Sequence, residues 1–526
     1  MRPYRVVENT GFRNMLHTLE PRYVIPSRKY FSETAVPQMY KDIKEKVKEK
    51  LIRAEHVALT CDAWTSRATQ SYITITAHHI TEDWSLSSHV LQTRVMHECH
   101  TGSNLAELLR NVVTEWYITD KDPALVSDNA ANMVVAAQLA GFLHVKCYAH
   151  TLNLASQHAL KLPAVARLLG RVRRVTGFFH RSAIALNVLE QKQKLLELPA
   201  HKLITDISTR WNSAYDMVER FLEQQPAVTA ALLSPDVRKK EKDISTFTES
   251  DISNAEEFIR ALKPVKVATS VMSDENNPTV SVIAPLHAQL LQTTQETLRD
   301  PPFVRDLKEA GHQDLSKRYT SEVEKATLNL ASALDPRFKV LPFLTEEEKQ
   351  ETFARMAAEA AATVEHCQEV VRQNQEELGD CAAATEEGQS KGEDGDFQGP
   401  PSAKRRVSCA LDELLGNTFG ETSRQVSALP EKSAFDSAAE EVMEYNRAAP
   451  LPLSESPLEW WKEHHCEHLF LAKLAKRYLC VPGTSVSAER VFSTAGDIVT
   501  AQRSSLTTEH VDQLLFLHKN LDILKH

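Results

Sequence analysis

Three acidic residues lie far apart in this chain, each inside a short motif that presents it. Asp62 sits in Leu59-Thr60-Cys61-Asp62-Ala63-Trp64-Thr65, and Asp128 in Leu125-Val126-Ser127-Asp128-Asn129-Ala130-Ala131-Asn132-Met133. Glu489 sits in Ser485-Val486-Ser487-Ala488-Glu489-Arg490-Val491-Phe492-Ser493. Two aspartates at strand ends and a distant glutamate on a helix form the carboxylate set of metal-dependent phosphodiester chemistry. Two divalent cations about 3.5–4 Å apart activate the attacking oxygen and stabilise the leaving oxygen. Such hard cations take oxygen ligands, and carboxylates also offset their charge. Without metal, converging carboxylates repel, and at least one has a raised pKa. Each residue also has a plainer reading. Asp128 precedes an Ala-rich segment it could N-cap, and Glu489 could be a surface carboxylate paired with Arg490.

The elements that must hold these residues can be read from periodicity. Val57, Leu59 and Cys61 alternate with His56, Ala58 and Thr60, which predicts a strand ending at Asp62. Ser71–Ile80 and Trp84–Val95 read as two further strands. Leu105, Leu108, Leu109, Val112, Val113 and Trp116 make the apolar face of a helix starting near Gly102. Pro123–Ser127 reads as a buried strand ending at Asp128, Asn129–Ala140 as a helix stopped by Gly141, and His144–Tyr148 as a fifth strand before another helix. The order β-β-β-α-β-α-β-α is that of a ribonuclease-H-like core with its first and fourth strands adjacent. That order would bring Asp62 and Asp128 together.

From about 216 to 455 the pattern is almost wholly helical, with the 3.6-residue period over Phe221–Leu233, Ile252–Ala268, Ile283–Leu298, Glu322–Ala333 and Glu346–Gln375. Residues 376–402 are acidic and nearly free of large apolar side chains, which predicts disorder. Lys404-Arg405-Arg406 follows. Residues 38–53 read as a solvated helix leading into the core.

Composition narrows the function classes. The net charge of -10 excludes a polycation that holds nucleic acid by bulk electrostatics, so any DNA site must be a local patch. Lys161, Arg167, Arg171, Arg173, Arg174 and Arg181 form a basic stretch with no acid between them. Arg167, Arg171 and Arg174 share one helical face, either facing DNA phosphates or simply solvated. Eight cysteines without C-x2-C spacing read as reduced and intracellular. Cys147 and His150, with His144 nearby, make an incomplete zinc set, and no zinc site is expected. No run of about 18 apolar residues spans a bilayer, so a soluble protein is expected.

Five motifs in order carry a resemblance: Asp62-Ala63-Trp64-Thr65, Ser127–Met133, Cys147-Tyr148-Ala149-His150-Thr151-Leu152-Asn153-Leu154, Thr209-Arg210-Trp211-Asn212-Ser213, and Ser485–Ser493. Together they resemble the hobo/Activator (hAT) superfamily of transposases, and within it the host-derived BED-type zinc-finger proteins. The resemblance implies an α/β fold with a ribonuclease-H-like core interrupted by a large all-α insertion, closed by C-terminal hAT dimerisation helices. It divides the chain into a helical lead-in (1–53), the first part of the core (54–215), a helical insertion (216–455) with a disordered segment (376–408), and a dimerisation region that completes the core (456–526). Asp62, Asp128 and Glu489 match the family's catalytic positions and would hold Mg2+ or Mn2+ if the protein is active. Trp211 matches a tryptophan that stacks on a flipped or hairpin base in the family's transposases. Its other reading is a core tryptophan anchoring the first insertion helix. Arg210 joins Arg167, Arg171 and Arg174 as an expected DNA contact.

The C-terminal region is expected to form a homodimer through Trp460, Trp461, Leu469, Leu514 and Leu515. The other reading is that this apolar surface packs internally. Family members begin with a BED finger, whose ligand set is not found here. DNA targeting is then lost or supplied by a partner, or the chain is a truncated product. The resemblance thus implies a nuclear, domesticated, DNA-linked regulator that does not transpose. An active divalent-metal transposase or nuclease is the alternative. Neither a membrane nor a small-molecule substrate is expected as a partner.

Overall fold

The computed structural model describes residues 3–66, 69–238, 247–383, 432–491 and 506–524, with the backbone alone over 366–383. Five strands form one sheet in the order β3-β2-β1-β4-β5. They are β1 (Ala58–Thr65), β2 (Ser71–Ile80), β3 (Leu86–Val95), β4 (Ala124–Ser127) and β5 (His144–Lys146). The first three run as an antiparallel meander, while β4 joins β1 and β5 joins β4 in parallel. The chain has a ribonuclease-H-like core with a helical insertion.

In chain order, the helices entering and flanking the sheet are α1 (Thr10–Leu19), α2 (Val36–Arg53), α3 (Gly102–Glu115), α4 (Ala131–Ala140) and α5 (Tyr148–Leu160). Then come α6 (Pro163–Arg181), α7 (Ala183–Leu195), α8 (Trp211–Leu232), α9 (Glu249–Val271), α10 (Val280–Thr293), α11 (Pro302–Leu315), α12 (Glu322–Ala333) and α13 (Glu346–Ala383). The last are α14 (Ala434–Arg447), α15 (Pro457–His464), α16 (Leu469–Leu479) and α17 (Thr508–Asn520). Between α16 and α17, residues 486–491 are helical. Among the described residues no helix is long and apolar enough to cross a membrane.

Alternation sorts the strands onto two faces. Leu59, Cys61, Ile73, Ile75 and Ala77 point into the main core with Leu105, Leu109, Val112 and Trp116 of the α3 segment. Ile43, Val47 and Leu51, four residues apart on α2, join the same core fully buried. The lead-in helix is therefore half core rather than solvated all round. The opposite face is unusual for its buried hydroxyls and imidazole: Thr60, Thr74, Thr76 and His78. That face carries Asp62, which follows Thr60 by one strand repeat.

The C-terminal return closes the sheet. On α17, Phe516 and Leu517 join the main core, while Val511 and Leu515 pack with Tyr72, Val90, Val95 and Val491 on the other face. Asp512 accepts the Thr93 N–H at 2.6 Å, and the Asn520 amide pairs with both the N–H and the carbonyl of Val90. These bonds occupy groups along the β3 edge.

Several boundaries differ from the sequence expectation. Strand β1 does not end at Asp62: Ala63, Trp64 and Thr65 continue to pair with Ile73, Tyr72 and Ser71. Helix α10 stops at Thr293 rather than 298, where Thr294 turns its hydroxyl back onto the Leu290 carbonyl. Of the segment expected to be disordered, 376–383 is the end of α13; 384–408, with Lys404-Arg405-Arg406, lies outside the described residues.

Two compact units are present, one of Met1–Thr352, Ala449–His464 and Ala475–His526, the other of Phe353–Ala448 and His465–Leu474. The first contains the sheet and all three acidic residues. In the second, Glu441 accepts the N–H groups of Phe470 and Leu471, capping the start of α16.

Candidate carboxylate site

Asp62 and Asp128 meet because β1 and β4 are parallel neighbours. Ala58, Leu59 and Thr60 pair with Ala124, Leu125 and Val126. The same register carried forward sets Asp62 across from Asp128, and neighbouring strands lie about 4.8 Å apart. Asp128 lies just past the end of β4, where its carboxylate accepts the Ala130 N–H at 3.2 Å in a tight turn. The N-cap of α4 is Ala130, which uses no side chain, so Asp128 is not a conventional cap.

Glu489 arrives from the far end of the chain, and the residues before it are sewn into the core. Tyr148 donates its N–H to the Gly483 carbonyl at 2.9 Å, and Gly483 donates to Thr279 Oγ1 at 2.8 Å. Thr484 donates its hydroxyl to the Met272 carbonyl, and the Ser485 N–H points at Cys147 Sγ. Only glycine fits at 483, because a Cβ there would stand 2.7 Å from the Thr279 carbonyl oxygen and closer still to the Met272 side chain. Ser487 then docks the helical turn on the sheet. Its hydroxyl lies 3.2 Å from Thr60 Oγ1, 3.4 Å from Thr76 Oγ1 and 3.3 Å from His78 Nε2. Burial pulls His78 down to about 3, so the imidazole is neutral in this network. Sequence reasoning passed over Ser487; the available signal was a short hydroxyl side chain two residues before Glu489 in a Ser-x-Ser motif.

Asp62 lies within electrostatic reach of both Glu489 and Asp128. Burial pushes Asp62 up to about 8, reinforced by the charges of Glu489 and then Asp128, against one backbone hydrogen bond from Ala63. Glu489 is raised by burial, and the charges of Arg210 and His150 offset part of that. Asp62 thus holds its proton more tightly than an exposed carboxyl group does. Arg490 does not pair with Glu489; it reaches Glu275 at 2.6 Å and the Ser273 carbonyl.

The donors are the oxygen type that Mg2+ or Mn2+ takes. Their spacing is another matter. Among the described residues, no group of three or more His, Cys, Asp or Glu side chains is close enough together to hold a metal ion. The arrangement has the charge distribution of a cation site without the geometry of a formed chelate.

The expected DNA contacts divide. Arg210 is exposed and stands within electrostatic reach of Glu489. Arg167 and Arg174 are exposed on α6. Arg171 is partly buried and ion-paired with Asp251, and Arg173 is held by both oxygens of Asp206 at 2.7 and 2.6 Å. The basic stretch therefore has acids after all, supplied from 33 and 80 residues away. Trp211 does not stand open to a stacking base. It is 2% exposed, its backbone N–H donates to Asn153 Oδ1 at 3.1 Å, and its ring packs edge-on to Tyr215.

The expected dimer residues divide too. Trp461 is fully buried, its indole N–H donates to the Leu334 carbonyl at 2.9 Å, and its ring stacks on Trp84. Leu515 is fully buried beside β3. Both are taken up by the protomer's own core and are not available to a partner. Trp460 is partly buried against His464 and Leu514 partly buried, whereas Leu469 is exposed.

Comparison with known proteins matches this architecture in three segments. Residues 60–152 match the ZBED1 RNase-like domain, 145–259 the ZBED1 RNase-like helical domain, and 438–521 the hAT family C-terminal dimerisation region. The chain carries the hAT C-terminal dimerisation region together with the two ZBED1 RNase-like domains. It is 27% identical to human zinc finger BED domain-containing protein 4, over 100% of its own length and 42% of that protein. It is 23% identical to a putative AC transposase of Zea mays, over 98% of itself and 62% of the relative. Mouse zinc finger BED domain-containing protein 6 is 25% identical over 99% of this chain and 54% of the relative. The chain thus spans less than two thirds of each of these three relatives.

Proposed function

We propose that this transposase-derived chain is a nuclear, homodimerising DNA- or chromatin-binding protein that acts in transcriptional regulation and does not transpose. The observation that supports it is the pairing of a ribonuclease-H-like core with a C-terminal dimerisation region, beside the exposed Arg167, Arg174 and Arg210. DNA is held by Arg167, Arg174 and Arg210 through its phosphates, which gives affinity without base specificity. Dimerisation uses the C-terminal region.

The double variant Arg167→Ala/Arg174→Ala will weaken binding to duplex DNA about equally for unrelated sequences. The slope of log K against log salt will fall by about two, since each phosphate contact contributes about 0.9. Titration at several salt concentrations reads both quantities. Unchanged affinity and slope would remove the DNA interface from the proposal.

The raised Asp62 favours one other reading, a divalent-metal-dependent nuclease or transposase in which Asp62, Asp128 and Glu489 hold Mg2+ or Mn2+. Metal-dependent nicking of hairpin or terminal-repeat DNA by the wild type, lost in Asp62→Asn and Asp128→Asn, would put that reading first.

A further inference from the structure

Strand β3 leaves part of its outer edge uncovered. It is an outermost strand of the sheet, and such a strand presents a row of N–H and C=O groups that pair with no neighbour. The pairing of β2 with β3 says which groups these are. Residues along an antiparallel strand turn their backbone groups alternately toward the neighbour and away from it. At the hairpin the Thr81 N–H donates to the Ser85 carbonyl, and from there to Val90 the register is unbroken. Ser87 and His89 therefore bond to β2, whereas Leu86, Ser88 and Val90 turn outward. The Val90 groups agree, since the Asn520 amide takes both. Over the second half of the strand, Asn520 and Asp512 of α17 stand in for a neighbour, and α17 ends at Asn520. Among the described residues, nothing takes the outward groups of Leu86 and Ser88.

The space beside these groups suits a further strand. A strand sends alternate side chains to opposite faces of a sheet, so one added here needs room on both. A cleft of about 390 Å³ is lined by Leu86, Ser87 and Ser88 and has walls from both faces. Thr76 and Ser487 belong to the face that carries Asp62, and Lys50 of α2 and Ile523 to the main-core side. A second cleft of about 210 Å³ shares the three β3 residues and adds Asn276 and Asn277 of the loop after α9. Charge narrows what the strand carries. Lys50 and Lys519 line the larger cleft, and among the described residues neither has an ion pair or hydrogen bond. Of the acids there, Glu275 is held by Arg490 at 2.6 Å and Asp522 is already engaged. Two uncompensated ammonium groups beside unpaired peptide groups call for an extended segment with a carboxylate.

We infer that the Leu86–Ser88 edge takes up an acidic, extended segment of a partner protein as a further strand of the sheet. Main-chain hydrogen bonds to Leu86 and Ser88 hold the segment in place, and its carboxylate pairs with Lys50 and Lys519. This protein contact is separate from the phosphate contacts proposed for Arg167, Arg174 and Arg210.

The test is to pan the full chain against displayed random peptides and to measure the retained ones by fluorescence anisotropy. They are expected to carry β-branched residues in alternation around an Asp or Glu. Lys50→Glu/Lys519→Glu will raise their dissociation constant roughly tenfold or more. Ser88→Pro deletes an outward N–H, a loss that an edge strand tolerates, and will raise it by about the same factor. Ser88→Ala will leave it unchanged, because the contact is to the backbone. The lysine variant keeps the test open should proline disturb the strand. No retained peptide, peptides rich in Lys or Arg, binding that survives the lysine variant or a folded Ser88→Pro, or binding lost in Ser88→Ala would each overturn the inference. Sedimentation of the protein alone covers the other occupant. Self-association unchanged by Ser88→Pro is the expected result; self-association weakened by it would give the edge to a second copy and overturn the partner reading.

Discussion

Replacing Asp62 by asparagine will make the protein more stable than wild type at pH 8 and above. A carboxyl group has an unfolded pKa of about 3.9, while in the folded protein burial, Glu489 and Asp128 push Asp62 up to about 8. A group raised on folding binds its proton more tightly in the native state. The stability it contributes is whole below about pH 4, declines as pH rises, and is gone once pH passes about 8. Asparagine carries no proton to lose, so the variant escapes that decline. The gain at pH 8–9 is on the order of a few kcal/mol, since each tenfold change in proton affinity on folding is worth about 1.4 kcal/mol. Denaturant unfolding across pH 5–9 reads it directly. A variant less stable than wild type at pH 8.5 would mean that Asp62 is not a buried, mutually repelled carboxylate.

Trp461→Ala will cost about 3–5 kcal/mol of protomer stability, the usual range for emptying a buried tryptophan site, and leave the Leu334 carbonyl without its indole donor. Leu469→Ala, at an exposed position, will stay within about 0.5 kcal/mol. Chemical unfolding of the two variants separates internal packing from interface. If Trp461 belonged to the dimer contact, its truncation would weaken association and spare the protomer, the reverse of the expected pattern.

Why one tryptophan could be misassigned while a strand could be read to the residue is a matter of what local pattern encodes. Ser71–Ile80 alternates because its apolar side chains must face the main core, and β2 has those bounds. The six apolar positions from Leu105 to Trp116 are all buried for the same reason. Strand order then brings Asp62 to Asp128, so the pairing of the two aspartates follows from the chain's own pattern. Helical spacing of Trp461 and Leu515 shows that a face is apolar but not whether it packs inward or on a partner; both pack inward. The pairing of Arg171 with Asp251 and the docking of Ser487 on Thr60, Thr76 and His78 span gaps of 80 to 427 residues. Such contacts exist only once the insertion helices and the C-terminal return are in place, and no local periodicity records them. Trp211, buried and held by its backbone N–H to Asn153, belongs to the same class.

The central claim is that residues from three distant motifs form one electrostatic cluster. Its most direct measurement is the pH at which Asp62 titrates, obtained by comparing the stability curves of proteins with and without Asp62→Asn in wild-type and Glu489→Gln backgrounds. If the carboxylates converge, neutralising Glu489 removes a repulsion, and the Asp62 midpoint falls below its wild-type value of about 8. An Asp62 midpoint identical in both backgrounds would show that Glu489 does not reach the strands, and the site would not exist as described.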